Sequence, residues 1–269
     1  MLEPIHGDMD AVIRGTTMPV LEVHLTPGES VVAEAGQLGW FDDGIELETT
    51  TALAGADGML DAAKRSFGGG TFFMTRYASV TQPGTVAFPA RLPGKIFQVP
   101  LGPDRSYLIQ RHGFLAGLEG SELSTAFDLR HFGTGLLGGF GMLLQKLEGA
   151  GHAWIELAGE LSEYDLVAGQ SLRVHPAHIG LVESGVAYEL TTVPGIKNKI
   201  FGNDGLFLVR LTGPGKVWLQ SLSLPMLAHS LQPYIVQPGG GATPSQGLET
   251  AAMGGGLAAV AKGLGGLLG

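Results

Sequence analysis

Residues 139–157 read GFGMLLQKLEGAGHAWIEL, and residues 203–222 read NDGLFLVRLTGPGKVWLQSL. The two share one glycine spacing, Gly141 to Gly151 and Gly205 to Gly215. After the second glycine both continue polar, apolar, Trp, apolar: His152-Ala153-Trp154-Ile155 and Lys216-Val217-Trp218-Leu219. The chain holds only 3 tryptophans, so two at one place in a recurring stretch point to a duplicated unit. A looser version starts at Gly68, with a longer Gly70 to Gly84 interval and Phe88 near the Trp position. Each stretch reads as two strands about a tight turn, which predicts three β-hairpins.

A second segment recurs upstream of each. It is TPGESVVAEAGQLGW from Thr26, LGPDRSYLIQRHGFLAG from Leu101 and VAGQSLRVHPAHIGL from Val167. Gly28 and Gly169 match, as do Leu38 and Ile179; Asp104 and Phe114 take these places in the middle version. Leu21, Val23 and Leu25 alternate with polar residues, and so do Leu172 with Val174, and Val186 with Tyr188 and Leu190. A period of two buries one sheet face and wets the other. Pro27-Gly28, Pro83-Gly84, Pro93-Gly94, Pro194-Gly195 and Pro214-Gly215 close the runs as turns. The reading is an all-β fold of three pseudo-repeats, each a small β-sandwich or jelly-roll-like unit whose neighbours cover its faces. The body spans 1–237, with repeats at about 9–93, 94–160 and 161–237. Met59–Arg65 and Glu119–Arg130 are expected to be short connecting helices. From Pro238 to Gly269 a Gly-rich, low-complexity tail follows.

Composition narrows the functional classes. Hydrophobic residues make up 44% and charged residues 15%, enough to bury a core, and the 44 glycines favour turns over long helices. A net charge of -9 without a basic cluster argues against a nucleic-acid partner. There are 0 cysteines, so disulfides, thiolate metal sites and a Cys nucleophile are all excluded, in keeping with a reducing, cytoplasmic setting. The acidic N-terminus MLEPIHGDMD has no signal-peptide pattern.

No P-loop, nucleophile elbow or dinucleotide fingerprint is present: Gly213-Pro214-Gly215-Lys216 lacks the spacing, and Gly68-Gly69-Gly70 precedes a strand. The best metal candidate is His175 and His178, with Glu183 downstream, since imidazole and carboxylate suit Fe, Mn or Zn. The histidines flank a Pro-Ala turn, and the cupin spacing of His-x-His followed by Glu is absent. No metal is favoured there, and no cofactor is expected. Glu34 and the Asp42-Asp43 pair are weak acid–base candidates. Phe72, Phe73, Trp154 and Trp218 read as core more readily than as a ligand platform.

The chain resembles the altered inheritance of mitochondria protein 24 family and its bacterial relatives. The matching stretches are Leu25–Glu29, Ala35–Leu38 with Phe41-Asp42, Gly70–Phe73, Gly84–Phe88 and Leu92–Ile96. They continue through Gly113–Ala116, Gly149–Gly151, Phe201–Phe207 and Thr212–Gly215. The resemblance implies a fold similar to the tryptophan RNA-binding attenuation protein, a short double-stranded β-helix, and homo-oligomers, plausibly trimers. It supplies no catalytic residues. The expectation is a non-enzymatic oligomeric scaffold or interaction protein of the bacterial cytoplasm. The alternatives are a small-molecule or metal-binding jelly roll, which could be an enzyme, and a protein that touches membranes through its tail.

Overall fold

The computed structural model describes residues 9–50, 74–128, 143–192 and 207–235. After β1 (Asp10–Arg14), the chain runs through three successive sets of six strands. The first is β2 (Val20–Leu25), β3 (Ser30–Glu34), β4 (Trp40–Phe41), β5 (Ile45–Thr50), β6 (Met74–Ser79) and β7 (Gly84–Pro89). The second is β8 (Gly94–Leu101), β9 (Tyr107–Gln110), β10 (Phe114–Leu118), β11 (Glu122–Asp128), β12 (Leu143–Glu148) and β13 (Gly151–Ala158). The third is β14 (Leu161–Leu166), β15 (Ser171–Val174), β16 (Ile179–Glu183), β17 (Ala187–Thr192), β18 (Phe207–Thr212) and β19 (Gly215–Gln220). The expected alternation is visible in β2, whose Leu21, Val23 and Leu25 are buried while Val20, Glu22 and His24 are half-buried. At Gly28 the Pro-Gly turn places φ at +96°, a conformation that favours glycine.

Strand order shows how the sets join. One six-stranded sheet runs β5-β6-β3-β10-β13-β8, and another runs β11-β12-β9-β16-β19-β14. Adding six to each index of the first gives the second. Every pairing among the described strands is antiparallel. Each six-stranded sheet therefore takes three strands from one set and three from the next. The joints are β3 against β10, with Ala33 opposite Ala116, and β9 against β16, with Ile109 opposite Leu181. The first set's other layer is the sheet β1-β2-β7-β4, and the third set's is β15-β18-β17.

Two expectations are corrected. The stretches predicted as hairpins are not hairpins. β12 pairs with β9 and β11, whereas β13 pairs with β8 and β10, and β18 and β19 part in the same way. The connection Gly149–Gly151, with φ of +133° and +86° at its two glycines, turns the chain from one layer to the other. Facing strands across a core carry the same alternation as strands side by side, so the pattern alone does not separate the cases. The antiparallel partners are β5 with β6, β11 with β12, and β17 with β18. The second correction is the helix expected over Glu119–Arg130: Glu122–Asp128 is β11, with Leu123 buried between exposed Glu122 and Ser124. The helix expected at Met59–Arg65, Phe72, Phe73 and the Gly-rich tail from Pro238 lie outside the described residues.

Three apolar clusters lie along the succession of sets. The first holds Leu21, Val23, Tyr77, Val86 and Phe88, and it is completed by Trp154 from the second set. The second holds Tyr107, Ile109, Phe114 and Ile155, and it is completed by Trp218 from the third set. Trp218 stacks on Phe97 at 6.2 Å. The tryptophan that follows the recurring glycine thus packs into the core of the preceding set. Register refines its first-set counterpart: Ala116 faces Trp154, Leu181 faces Trp218, and Trp40 faces Ala87, so Ala87 and not Phe88 holds the place. At Gly94 a Cβ would lie 2.1 Å from the Leu157 carbonyl oxygen, so only glycine lets β8 run this close to β13.

The chain divides into two compact units, Met1–Ser223 and Leu224–Gly269. The second contains α1 (Leu224–Leu231), followed by a single 3-10 turn at Gln232–Tyr234. Pro225 suits its first turn, where a missing N–H costs nothing. Among the described residues no helix is long and apolar enough to cross a membrane.

Phe88 is fully buried and meets Tyr77 edge to face at 5.2 Å. Phe88→Ala is expected to cost about 3–5 kcal/mol in urea unfolding. Val80→Ala, at a half-exposed position, is expected to stay within about 0.5 kcal/mol.

Candidate functional site

A buried polar cluster sits where the first and second sets join. Glu34 ends β3, Glu156 lies in β13, Gln37 follows β3, Arg91 sits between β7 and β8, and His112 occupies the β9–β10 turn. The Glu34 and Glu156 side chains are only 10% and 8% exposed, so their charges need partners. Gln37 Nε2 donates to Glu156 Oε1 at 2.7 Å, and the Arg91 backbone N–H donates to Glu156 Oε2 at 2.9 Å. The Arg91 guanidinium donates to Glu34 Oε2 at 3.3 Å and stands 3.9 Å from Glu156 Oε1. His112 Nδ1 is 3.7 Å from Glu34 Oε2, beyond hydrogen-bond length, and acts there through charge when protonated. His112 adopts φ of +67°, the left-handed turn that brings its ring back over Glu34.

The two carboxyls are pushed in opposite directions. Burial raises Glu34, but the polar pull of His112 and the charge of Arg91 outweigh it and hold the group below the usual glutamate range. Burial dominates at Glu156 and raises it, with the hydrogen bonds from Arg91 and Gln37 compensating only in part. Such a split suits acid–base chemistry. Here, however, the bonds tie the turn after β7 and the segment after β3 to β13, so they serve first as a clamp across the joint.

The second joint has a neutral counterpart. Gln110 ends β9 as Glu34 ends β3, and Gln220 in β19 stands where Glu156 stands in β13. Gln110 and Gln220 form a reciprocal amide pair, Nε2 of Gln110 donating at 2.7 Å, and the Ala158 N–H donates to Gln220 Oε1 at 3.1 Å. That last bond matches the one from Arg91 to Glu156. One architectural position is thus filled by carboxylates in one joint and by amides in the other.

The sequence-derived candidates fall elsewhere. His175 and His178 flank the 3-10 turn Pro176–His178, with ring centroids 5.9 Å apart. His175 Nδ1 accepts from the Ala177 N–H at 3.3 Å, and burial, then the charge of His178, lower the His175 pKa. His178 Nδ1 lies 2.9 Å from the Gln220 carbonyl oxygen. Glu183 does not join them: its Oε2 accepts the Lys216 N–H at 2.8 Å. Among the described residues no three His, Cys, Asp or Glu gather in a way that could hold a metal ion. Glu34 is bonded away from the aspartates, and Asp42 accepts from the Thr85 N–H at 2.8 Å. Asp42 also lines a surface cavity of about 410 Å³ with Asp10, His24, Glu29 and Thr85. Glu29 accepts from the Thr26 N–H and hydroxyl within the Pro27-Gly28 turn, and His24 Nδ1 meets Thr85 Oγ1 at 2.9 Å across the β2–β7 pair. Trp154 and Trp218 are core residues. Sequence reasoning missed Gln37, Arg91 and Glu156, which come from segments far apart in the chain.

Because its folded pKa is depressed, Glu34 contributes stability above the usual glutamate pKa, and this is lost as pH falls. Glu34→Gln is expected to lower stability at pH 7 by about 1–3 kcal/mol. The gap to the parent should close as pH falls through the carboxylate range, read by urea titrations at several pH values.

Comparison with known proteins agrees with this architecture. No curated protein matches the chain. The X-ray crystal structure of protein SPYM3_0169 from Streptococcus pyogenes is similar, with TM-score 0.66 and 23% identity over 84% of this chain and 100% of that one. The sequence profile of the family described as Mitochondrial biogenesis AIM24 matches residues 11–222, through all three sets of strands. The chain therefore belongs to the AIM24 family.

Proposed function

We propose that the protein is a non-enzymatic, homo-oligomeric scaffold of the bacterial cytoplasm, with three copies as the expected assembly. The observation that supports this is the way the chain builds itself. Each set completes its neighbour by adding strands to a shared sheet, and among the described strands the succession stops with one such edge unmatched at either end, β4 and β15. Sheet edges of this kind are templates for further pairing. Glu34, Glu156, Gln110 and Gln220 at the joints, and Glu29 and Asp42 at the surface cavity, hold turns and strands together, which suits a structural role. The charge of -9 speaks against nucleic acid as the partner.

Light scattering on the purified full chain tests the reading. The expected mass is three times 28.0 kDa. A clean 28.0 kDa monomer at working concentration would overturn it.

A further inference from the structure

Resting on the homo-oligomeric reading, we infer that β4 of one copy pairs antiparallel with β15 of the next, joining copies head to tail through Trp40 and Phe41 on one side and Leu172–Val174 on the other.

The two internal joints supply the template. β10 and β16 lie inside their six-stranded sheets and are buried almost throughout. β4 holds the same place in the first set, pairing with β7 as β10 pairs with β13, yet its Trp40 is 52% and its Phe41 41% exposed. On the opposite side, β3 is buried along its whole length, while its counterpart β15 exposes Ser171 and Arg173. Strands β5, β11 and β17, like β8 and β14, end their sheets, so their free edges are ordinary. Among the described strands, only β4 and β15 are sheet ends whose counterparts are interior.

Register can be carried over. Ala116 and Leu181 face the tryptophans of β13 and β19 and pair across the joints with Ala33 and Ile109. Trp40 is the matching residue of β4. Ser30 and Ser171 each stand two residues after a turn glycine of positive φ, Gly28 and Gly169, which matches Val174 to Ala33. The third joint thus sets Trp40 opposite Val174, Phe41 opposite Arg173 and Asp42 opposite Leu172.

The third tryptophan fits this scheme. Each internal joint carries one indole packed into the preceding core, Trp154 or Trp218. At that place the first set has only Ala87, but the residue directly opposite is Trp40. Directly opposed residues share a sheet face, so Trp40 presents its indole on the face where Trp154 and Trp218 present theirs. The third cluster, which no following set completes, leaves Leu172 and Leu190 only partly buried. Charge agrees as well: Arg173 makes no ion pair among the described residues, and Asp42 and Asp43 adjoin Phe41. Two different patches make a head-to-tail contact, which closes into a ring when the rotation permits.

The chain has 0 cysteines, so Phe41→Cys/Arg173→Cys carries the only thiols. Under mild oxidation this variant is expected to form chain-to-chain disulfides, seen as a ladder on non-reducing gels that reductant collapses. Phe41→Cys/Ser171→Cys, two residues out of register, should cross-link at least about tenfold less, because its thiols fall outside disulfide reach. Trp40→Lys, with an unchanged far-UV spectrum, should scatter light as a 28.0 kDa monomer. An oligomer that gives no ladder, an equal ladder in the control, or a disulfide within one chain overturns the joint and leaves the oligomer standing. A monomeric parent overturns both.

Discussion

Antiparallel pairing between successive sets, β3 with β10 and β9 with β16, is the constraint on which the rest of the body depends. It makes each six-stranded sheet common property of two sets. It also places Trp154 and Trp218 over cores they do not belong to in sequence. The layers follow from it: three strands of a set stay with the previous set's sheet, and three with the next. A slip of one residue in either joint would turn every side chain of the added strand to the wrong face. That is why the polar clamps matter. Glu34 with Arg91 and Glu156, and Gln110 with Gln220, fix the register at the end of each joining strand.

Much of this is legible in the linear chain. The period-two runs mark β2, β15 and β17, and the equal glycine spacing with its following tryptophan marks equivalent strands. What the residues do not reveal is which edges meet. Strands that face each other across a core and strands that lie side by side share one alternation, so β12 and β13 read as a hairpin although they belong to different sheets. Glu122–Asp128 reads as helix because Leu123, Ala126 and Phe127 recur at helical spacing, which a strand with a register shift between Thr125 and Phe127 also produces. The site was the least legible part. Gln37 and Glu156 are 119 residues apart, and no local motif links an amide in one loop to a carboxylate in a distant strand. The usable signal was the equivalence of Glu34 and Gln110, which becomes visible only once the repeated register is known.

The carboxylate joint and the amide joint differ in one respect beyond charge. The amide pair is reciprocal, each member donating to and accepting from the other. The carboxylates need Arg91, a partly exposed side chain from a turn, to reconcile them. Burying paired charges offers little net stability over a neutral substitute but penalises a missing partner heavily. The first joint is therefore the more exacting of the two.

The short connections between sets have a thermodynamic side. Only Ala90–Pro93 separates β7 from β8, and only Gly159-Glu160 separates β13 from β14. Tethering of this kind gives partner strands a high effective concentration, so the internal joints close without the translational and rotational cost of a bimolecular encounter. A joint between separate chains bears that cost, on the order of 4–15 kcal/mol. Dilution would thus open an assembly of these chains at one kind of seam while the covalently linked seams, built on the same strand geometry, stay shut.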